Sequence, residues 1–257
     1  MPRLNAVLEK GANTRILLVK HSTGWDCDRC SLWLRSNGID CDWCYPADGD
    51  AFPDPNLYTG VISFGGAVSA NDDTSLPWIK DELRFIEACM QHDLRFFGIC
   101  LGAQLLARVL GSKVSPHSEE LREVGFHPVY PTDQAGDFLQ QPLTVMQWHG
   151  EGYELPSGAT QTARGEMFEQ QAFHLSDHVF GVQFHPEVSP SVLAIWHERN
   201  KTRTKNVLTE DERQVMMREA HQYDASITQW LDGVLRNWTS RPDFSSKSAR
   251  KNASKSG

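Results

Sequence analysis

The sequence predicts an α/β protein with a mostly parallel central sheet and helices on both of its faces. Two observations lead there. Strand-like and helix-like patterns alternate from Arg15 to Gly111. The strand-like runs are continuously apolar, as strands covered on both faces are, instead of alternating apolar and polar.

Taken in order, RILLVKH (15–21) is apolar and β-branched and ends in polar turn residues, so it reads as a buried strand. CDRCSLWLRSNGI has helical spacing and stops at Gly38. IDCDWCYP is a second strand, followed by a loop rich in Pro and Asp, DGDAFPDPNLY. GVISFGG is a third strand that ends in two glycines. LPWIKDELRFIEACMQH is a helix, RFFGI a fourth strand, and LGAQLLARVL a helix closed by Gly111. From Lys113 to Glu187 the texture changes. Short runs such as VGFHPVYP, LTVMQW, ATQTAR, QAFHL and HVFGVQF are separated by Gly, Pro and Asp, and read as strands joined by tight loops. VLTEDERQVMMREAHQYDASITQWLDGVLRNW reads as one or two helices, opened by a Thr209–Glu212 capping box. The Ser/Lys-rich tail has little to bury and is expected to be disordered. There is no internal repeat. The expected organisation is an N-terminal segment 1–13, a main domain 14–200, a helical extension 201–239 packed on it, and a basic tail 240–257.

Bulk properties narrow the function. The 257 residues suffice for a sizeable core, and 40% hydrophobic with 23% charged residues is ordinary for a globular protein. A net charge of −8 argues against nucleic acid as a partner. No run is apolar enough for a membrane span, and MPRLNAVLEKGANTR has no signal-peptide centre, so a cytoplasmic protein is expected. In that compartment the six cysteines are thiols, metal ligands or nucleophiles, not disulfides. Cys89 falls on the apolar face of its helix and reads as core.

Cys100 is different. In Gly98-Ile99-Cys100-Leu101-Gly102 it stands on a sharp strand-to-helix turn between two glycines. Such a turn lifts the apical side chain out of the sheet, as in the nucleophile elbow of G-x-S-x-G. The helix N-terminus stabilises a thiolate, and the Leu101 N–H would point at an oxyanion forming beside the sulfur. A buried cysteine at a glycine-rich turn would read the same, so a base is needed to decide. GVQFHPEV supplies one at the end of another apolar strand. His185 can take the thiol proton, and Glu187, on the same side in extended geometry, can orient the imidazole. Gly65-Gly66, ending the third strand, lets a backbone N–H approach a bound carbonyl oxygen at the sheet's carboxyl edge.

GICLGAQ, GVQFHPE and SFGGAVSANDD, in this order, resemble the class I glutamine amidotransferases, over roughly residues 14 to 190. The chain is most similar to free-standing members related to the amidotransferase domain of GMP synthase. The resemblance implies a flavodoxin-like α/β fold and a Cys100, His185 and Glu187 triad. It also implies an oxyanion hole from the backbone amides of Gly66 and Leu101, and substrate contacts from Gly65, Gln104, Gly150 and Glu151. It implies no cofactor. Three features depart from the pattern: Ala67 stands where many relatives have Pro, WHGE stands for WHGD, and the segment after Asn200 is longer than a minimal domain.

A second motif competes for attention. Cys27-x-x-Cys30 and Cys41-x-x-Cys44 have the spacing of a four-thiolate zinc site. The first pair starts a helix, however, and residues i and i+3 of a strand point to opposite faces. Packed thiols are the expectation, and no metal. The leading function is hydrolysis of the γ-amide of glutamine, or of a γ-glutamyl compound, through a cysteine thioester. The ammonia acceptor would lie on a separate synthetase subunit, or be absent, as in a free γ-glutamyl peptidase. A non-catalytic regulatory subunit on the same fold is the alternative from another class.

Overall fold

The computed structural model describes residues 14–23, 26–200 and 208–240. The expectations for segment 1–13 and for tail residues 241–257 lie outside these residues, as do 201–207.

The chain runs β1 (Arg15–Val19), α1 (Arg29–Ser36), β2 (Asp40–Cys44), β3 (Gly60–Ser63), α2 (Pro77–Gln91), β4 (Arg95–Ile99) and α3 (Leu101–Val109). β5 (Val114–Pro116), β6 (Glu123–Pro131), β7 (Leu143–His149), β8 (Glu151–Tyr153), β9 (Thr160–Arg164), β10 (Gln170–His174) and β11 (Val179–Val182) follow. The helices α4 (Pro190–Asn200) and α5 (Glu210–Ser240) close the sequence of elements. The nine-stranded sheet has the order β2-β1-β3-β4-β11-β10-β9-β6-β7. β2, β1, β3, β4 and β11 pair in parallel, and β10, β9, β6 and β7 continue the sheet antiparallel. β5 and β8 pair separately.

Strand periodicity explains the layers. In β1, Ile16 and Leu18 face one way and pack with Leu34 of α1 and with Ile227, Leu231 and Leu235 of α5. Leu17 and Val19 face the other way, against Ile79 and Phe85 of α2 and Leu105 and Leu106 of α3. Both faces are thus covered by helices, as α/β strands this apolar require.

α5 is one continuous helix of 31 residues. Its capping box is formed: the Thr209 N–H donates to Glu212 Oε2 at 2.7 Å, and the Glu212 N–H to Thr209 Oγ1 at 3.3 Å. The helix is built into the core. Trp238 is 1% exposed and donates its indole N–H to the His178 carbonyl at 3.0 Å. α4 has no counterpart among the sequence expectations. Its start signal is Ser189-Pro190, where the Ser189 hydroxyl accepts from the Val192 N–H at 3.3 Å and Pro190 opens the helix.

The sheet order positions the site. β3, β4 and β11 are parallel neighbours, so their carboxyl ends lie side by side. Gly65, Cys100 and His185 each follow one of these ends.

Candidate active site

Cys100 sits at φ +50° and ψ −104°, a conformation that costs an ordinary residue roughly 1–3 kcal/mol. Its N–H is held by the Val182 carbonyl at 2.8 Å. The flanking glycines are there for close approach. A Cβ at Gly98 would lie 2.7 Å from the Ala103 backbone nitrogen, and one at Gly102 would lie 2.2 Å from the Ser63 carbonyl oxygen. The Cys100 side chain makes no capping bond to α3, and the Gln183 amide points at its sulfur from 3.6 Å.

His185 Nδ1 lies 2.8 Å from Glu187 Oε1, with the residues 3% and 0% exposed. They meet across a turn, not along an extended strand as expected: β11 ends at Val182, and the Val188 N–H reaches the His185 carbonyl at 3.4 Å. Pro186, with its fixed φ, favours that turn. Two neighbours, Met146 and Arg29, pin the loop. The His185 N–H donates to the Met146 carbonyl at 2.8 Å, and the Arg29 N–H to the Glu187 carbonyl at 3.0 Å. The Arg29 guanidinium also donates to the Pro186 and Val188 carbonyls, and is itself held by Asp224 and Thr228 of α5. Burial works against the His185 imidazolium, but the Glu187 carboxylate and the Cys100 sulfur outweigh it and lift the pKa to about 10. Glu187 Oε2 has no hydrogen-bond partner among the described residues, so no second donor competes with the imidazole for this carboxylate.

The glycine loop lies against this pair. A Cβ at Gly65 would stand 2.6 Å from His185 Cε1 and 3.5 Å from Cys100 Cβ, and one at Gly66 would stand 2.5 Å from Leu101 Cδ2. Gln104 is 4% exposed and donates to the Glu151 carbonyl at 3.0 Å and to Gln183 Oε1 at 3.3 Å. The Glu151 carboxylate accepts the Ser69 hydroxyl at 2.8 Å. Gly150 abuts Arg122, whose Cγ would be 3.2 Å from a Cβ there. Gln104, Gly150 and Glu151 therefore cluster where β7 passes into β8.

A cavity of about 370 Å³ opens beside His185, Gly65 and Gly66, walled by Trp78, Trp148 and Trp196. The Trp196 ring stands edge-on to His185 at 5.2 Å and to Trp148 at 5.8 Å. Sequence reasoning missed these tryptophans, as it missed His21, whose imidazole stacks on Trp78 at 5.2 Å. They come from α2, β7 and α4 and share no local motif.

The four cysteines of the candidate zinc pattern are dispersed. Cys30 and Cys41 belong to one packing cluster, Cys44 to the cluster on the other face of the sheet, and Cys27 to a third. Burial pushes the Cys41 thiol to about 11 and the Cys44 thiol to about 12. Among the described residues no three metal-binding side chains come together. Cys89 is fully buried in the core, and all six cysteines are free thiols.

The chain belongs to the glutamine amidotransferase class-I family, whose profile matches residues 45–204. It is 29% identical over 161 residues to a GMP synthase of Aliivibrio fischeri, covering 61% of this chain and 29% of the synthase. It is 30% identical over 170 residues to gamma-glutamyl peptidase 4 of Arabidopsis thaliana, covering 62% and 66% of the two chains. The chain thus spans under a third of the GMP synthase and about two thirds of the peptidase. Among solved structures, a glutamine amidotransferase from Thermotoga maritima superposes with a TM-score of 0.83 at 26% identity, covering 90% of this chain and 100% of that one. One from Methylobacillus flagellatus superposes with a TM-score of 0.75 at 25% identity, covering 88% and 93%. No helix among the described residues is long and apolar enough to cross a membrane.

Proposed function

We propose that the chain hydrolyses the γ-amide of glutamine, or of a γ-glutamyl compound, through a thioester on Cys100. The observation that carries this reading is a cysteine at positive φ on a strand-to-helix turn, beside a buried His185–Glu187 pair at 2.8 Å. Cys100 Sγ attacks the carbonyl carbon of the γ-amide while the Gly66 and Leu101 N–H groups hold the oxyanion. The C–N bond breaks as His185 hands its proton to the leaving amine. His185 then takes a proton from water, whose oxygen attacks the thioester, and Cys100 leaves as the thiolate. Glu187 keeps the imidazole oriented and balances its charge. Gly65 leaves room for His185, and Gln104, Gly150 and Glu151 take the amino-acid end of the substrate, with the Glu151 carboxylate facing its ammonium group.

One observation favours a second form of this chemistry. His185 must reach the leaving amine, so whatever that amine carries extends into the cavity His185 lines. A volume of about 370 Å³ walled by tryptophans is far more than ammonia needs. It fits a free γ-glutamyl peptidase acting on substrates with bulky leaving groups, as the names of the chain's peptidase relatives suggest. The other form passes ammonia to a separate synthetase subunit, as the GMP synthase relatives suggest. Six free thiols fit a cytoplasmic setting for either.

Intact-mass spectrometry after rapid mixing with glutamine or γ-glutamyl-p-nitroanilide tests the reading. Wild-type protein is expected to gain a γ-glutamyl adduct on Cys100 and turn over. Cys100→Ala is expected to stay folded, form no adduct and show no turnover, whereas Cys27→Ala remains nearly as active as wild type. Wild-type turnover in Cys100→Ala would overturn the mechanism.

A further inference from the structure

We infer that His21 is a positioning residue that latches the Gly65–Gly66 peptide with its N–H turned toward Cys100, so that the chain carries a ready-made oxyanion hole. The inference rests on the hydrolase reading above and adds to it how the hole is held.

The latch is visible in the distances. His21 Nδ1 lies 3.1 Å from the Gly65 carbonyl oxygen, and Nε2 lies 2.8 Å from Glu82 Oε2. The second Glu82 oxygen accepts the Ser63 hydroxyl at 2.7 Å. The chain from loop to helix is therefore Gly65, His21, Glu82, Ser63, and it closes on the strand that leads into the same loop. The side chains of His21 and Glu82 are 1% and 0% exposed, so water does not compete for these bonds. A carbonyl only accepts, so Nδ1 carries a proton. The carboxylate also only accepts, so Nε2 carries one as well. Burial disfavours such a cation, yet Glu82 and the backbone acceptors raise the His21 pKa overall, in keeping with an imidazolium.

The consequence for Gly66 follows from peptide geometry. No peptide among the described residues is cis. In a trans peptide the carbonyl and the next N–H point in opposite directions. With the Gly65 carbonyl tied to His21, the Gly66 N–H faces away from His21. The same loop runs against the reacting groups: a Cβ at Gly65 would touch His185 at 2.6 Å and Cys100 at 3.5 Å. A Gly-Gly peptide rotates readily because neither residue has a Cβ to hinder it, and Ala67 restrains it less than proline would. Without an outside hold, the orientation that supplies a donor has little to favour it. His21, fixed by the Glu82 carboxylate and stacked on Trp78, is that hold.

Histidine variants separate the two ring nitrogens. Asparagine places its amide nitrogen where Nδ1 stands, and glutamine places its own where Nε2 stands. Steady-state hydrolysis of γ-glutamyl-p-nitroanilide and of glutamine is measured for wild type, His21→Ala, His21→Asn and His21→Gln. The expectation for His21→Ala is a kcat about 10²–10³-fold lower, the cost of one oxyanion donor, with KM changed little. His21→Asn should recover much of that loss and His21→Gln should not. Alkylation of Cys100 by iodoacetamide, which forms no oxyanion, should proceed at a similar rate in all four proteins. Recovery by glutamine instead of asparagine would overturn the inference, as would an unchanged kcat in His21→Ala or a parallel loss of alkylation. Crystal structures of wild type and His21→Ala read the peptide directly. The Gly65 carbonyl is expected on His21 in the first and displaced in the second, and the same orientation in both would also overturn the latch. If wild type alone hydrolyses neither probe, the free-peptidase form fails, and the crystallographic comparison still decides the orientation.

Discussion

His185 is the residue whose electrostatics make the sharpest prediction. Its pKa of about 10, against an ordinary 6.5, means that the folded protein holds the imidazolium at neutral pH. A raised pKa stabilises the folded state fully below about 6.5, and that contribution is lost as pH rises through about 10. By the proposed mechanism, in which the imidazolium protonates the leaving amine, turnover should follow the same limb. We therefore expect kcat/KM to fall as pH rises through about 10 in wild type. In Glu187→Gln the limb should move to lower pH, because the charge that outweighs burial is gone. His185→Ala should cost about 10²–10⁴-fold in rate, and Glu187→Gln less, because an amide oxygen still accepts the imidazole N–H. A pH–rate profile of the three proteins checks both expectations. A Glu187→Gln enzyme slower than His185→Ala would contradict the assigned roles.

At the scale of elements, α5 matters most. It covers one face of the sheet and also reaches the site, because Asp224 and Thr228 hold the Arg29 guanidinium that grips the Pro186 and Val188 carbonyls. The loop bearing His185 and Glu187 is thus braced by a helix more than 20 residues further along the chain. Trp238 anchors the far end of that helix against Phe97, with ring centroids 6.5 Å apart. Trp238→Ala should destabilise the fold by about 3–5 kcal/mol, the usual cost of emptying a buried tryptophan site. Urea unfolding followed by tryptophan fluorescence measures it. A change below about 1 kcal/mol would mean that α5 lies on the domain without supporting it.

For the whole molecule the question is whether catalysis needs a partner. A glutaminase that feeds a synthetase should not waste glutamine when alone, whereas a γ-glutamyl peptidase must be active by itself. The tryptophan-walled cavity and the latched glycine loop both belong to the single chain. We expect the isolated protein to turn over a γ-glutamyl peptide with an apolar second residue faster than glutamine. Steady-state assays with both substrates, with and without cell extract, check this. Negligible turnover of both, restored by a co-purifying protein, would favour the partner-dependent form.

Much of this protein was legible in the sequence, and for a common reason. β1, β3, β4, α2 and α3 are set by local signals: continuous apolar runs, helical spacing and glycine punctuation within a few residues. The elbow at Cys100 and the His185-Pro186-Glu187 loop are equally local, since each motif lies within one strand end and its turn. The sequence also carried the family. It misjudged the route by which His185 meets Glu187, because a turn and an extended strand can both join residues two apart. It was silent on α4, and on the contacts between elements that lie outside the Cys100, His185 and Gly65-Gly66 motifs. His21 reaches Gly65 across 44 residues and Glu82 across 61, and Arg29 reaches Pro186 across 157. The three tryptophans of the cavity come from two helices and a strand. Contacts of that kind have no period and no motif. They exist because the sheet order sets β3, β4 and β11 side by side, and the helices packed around that edge bring distant side chains to one place.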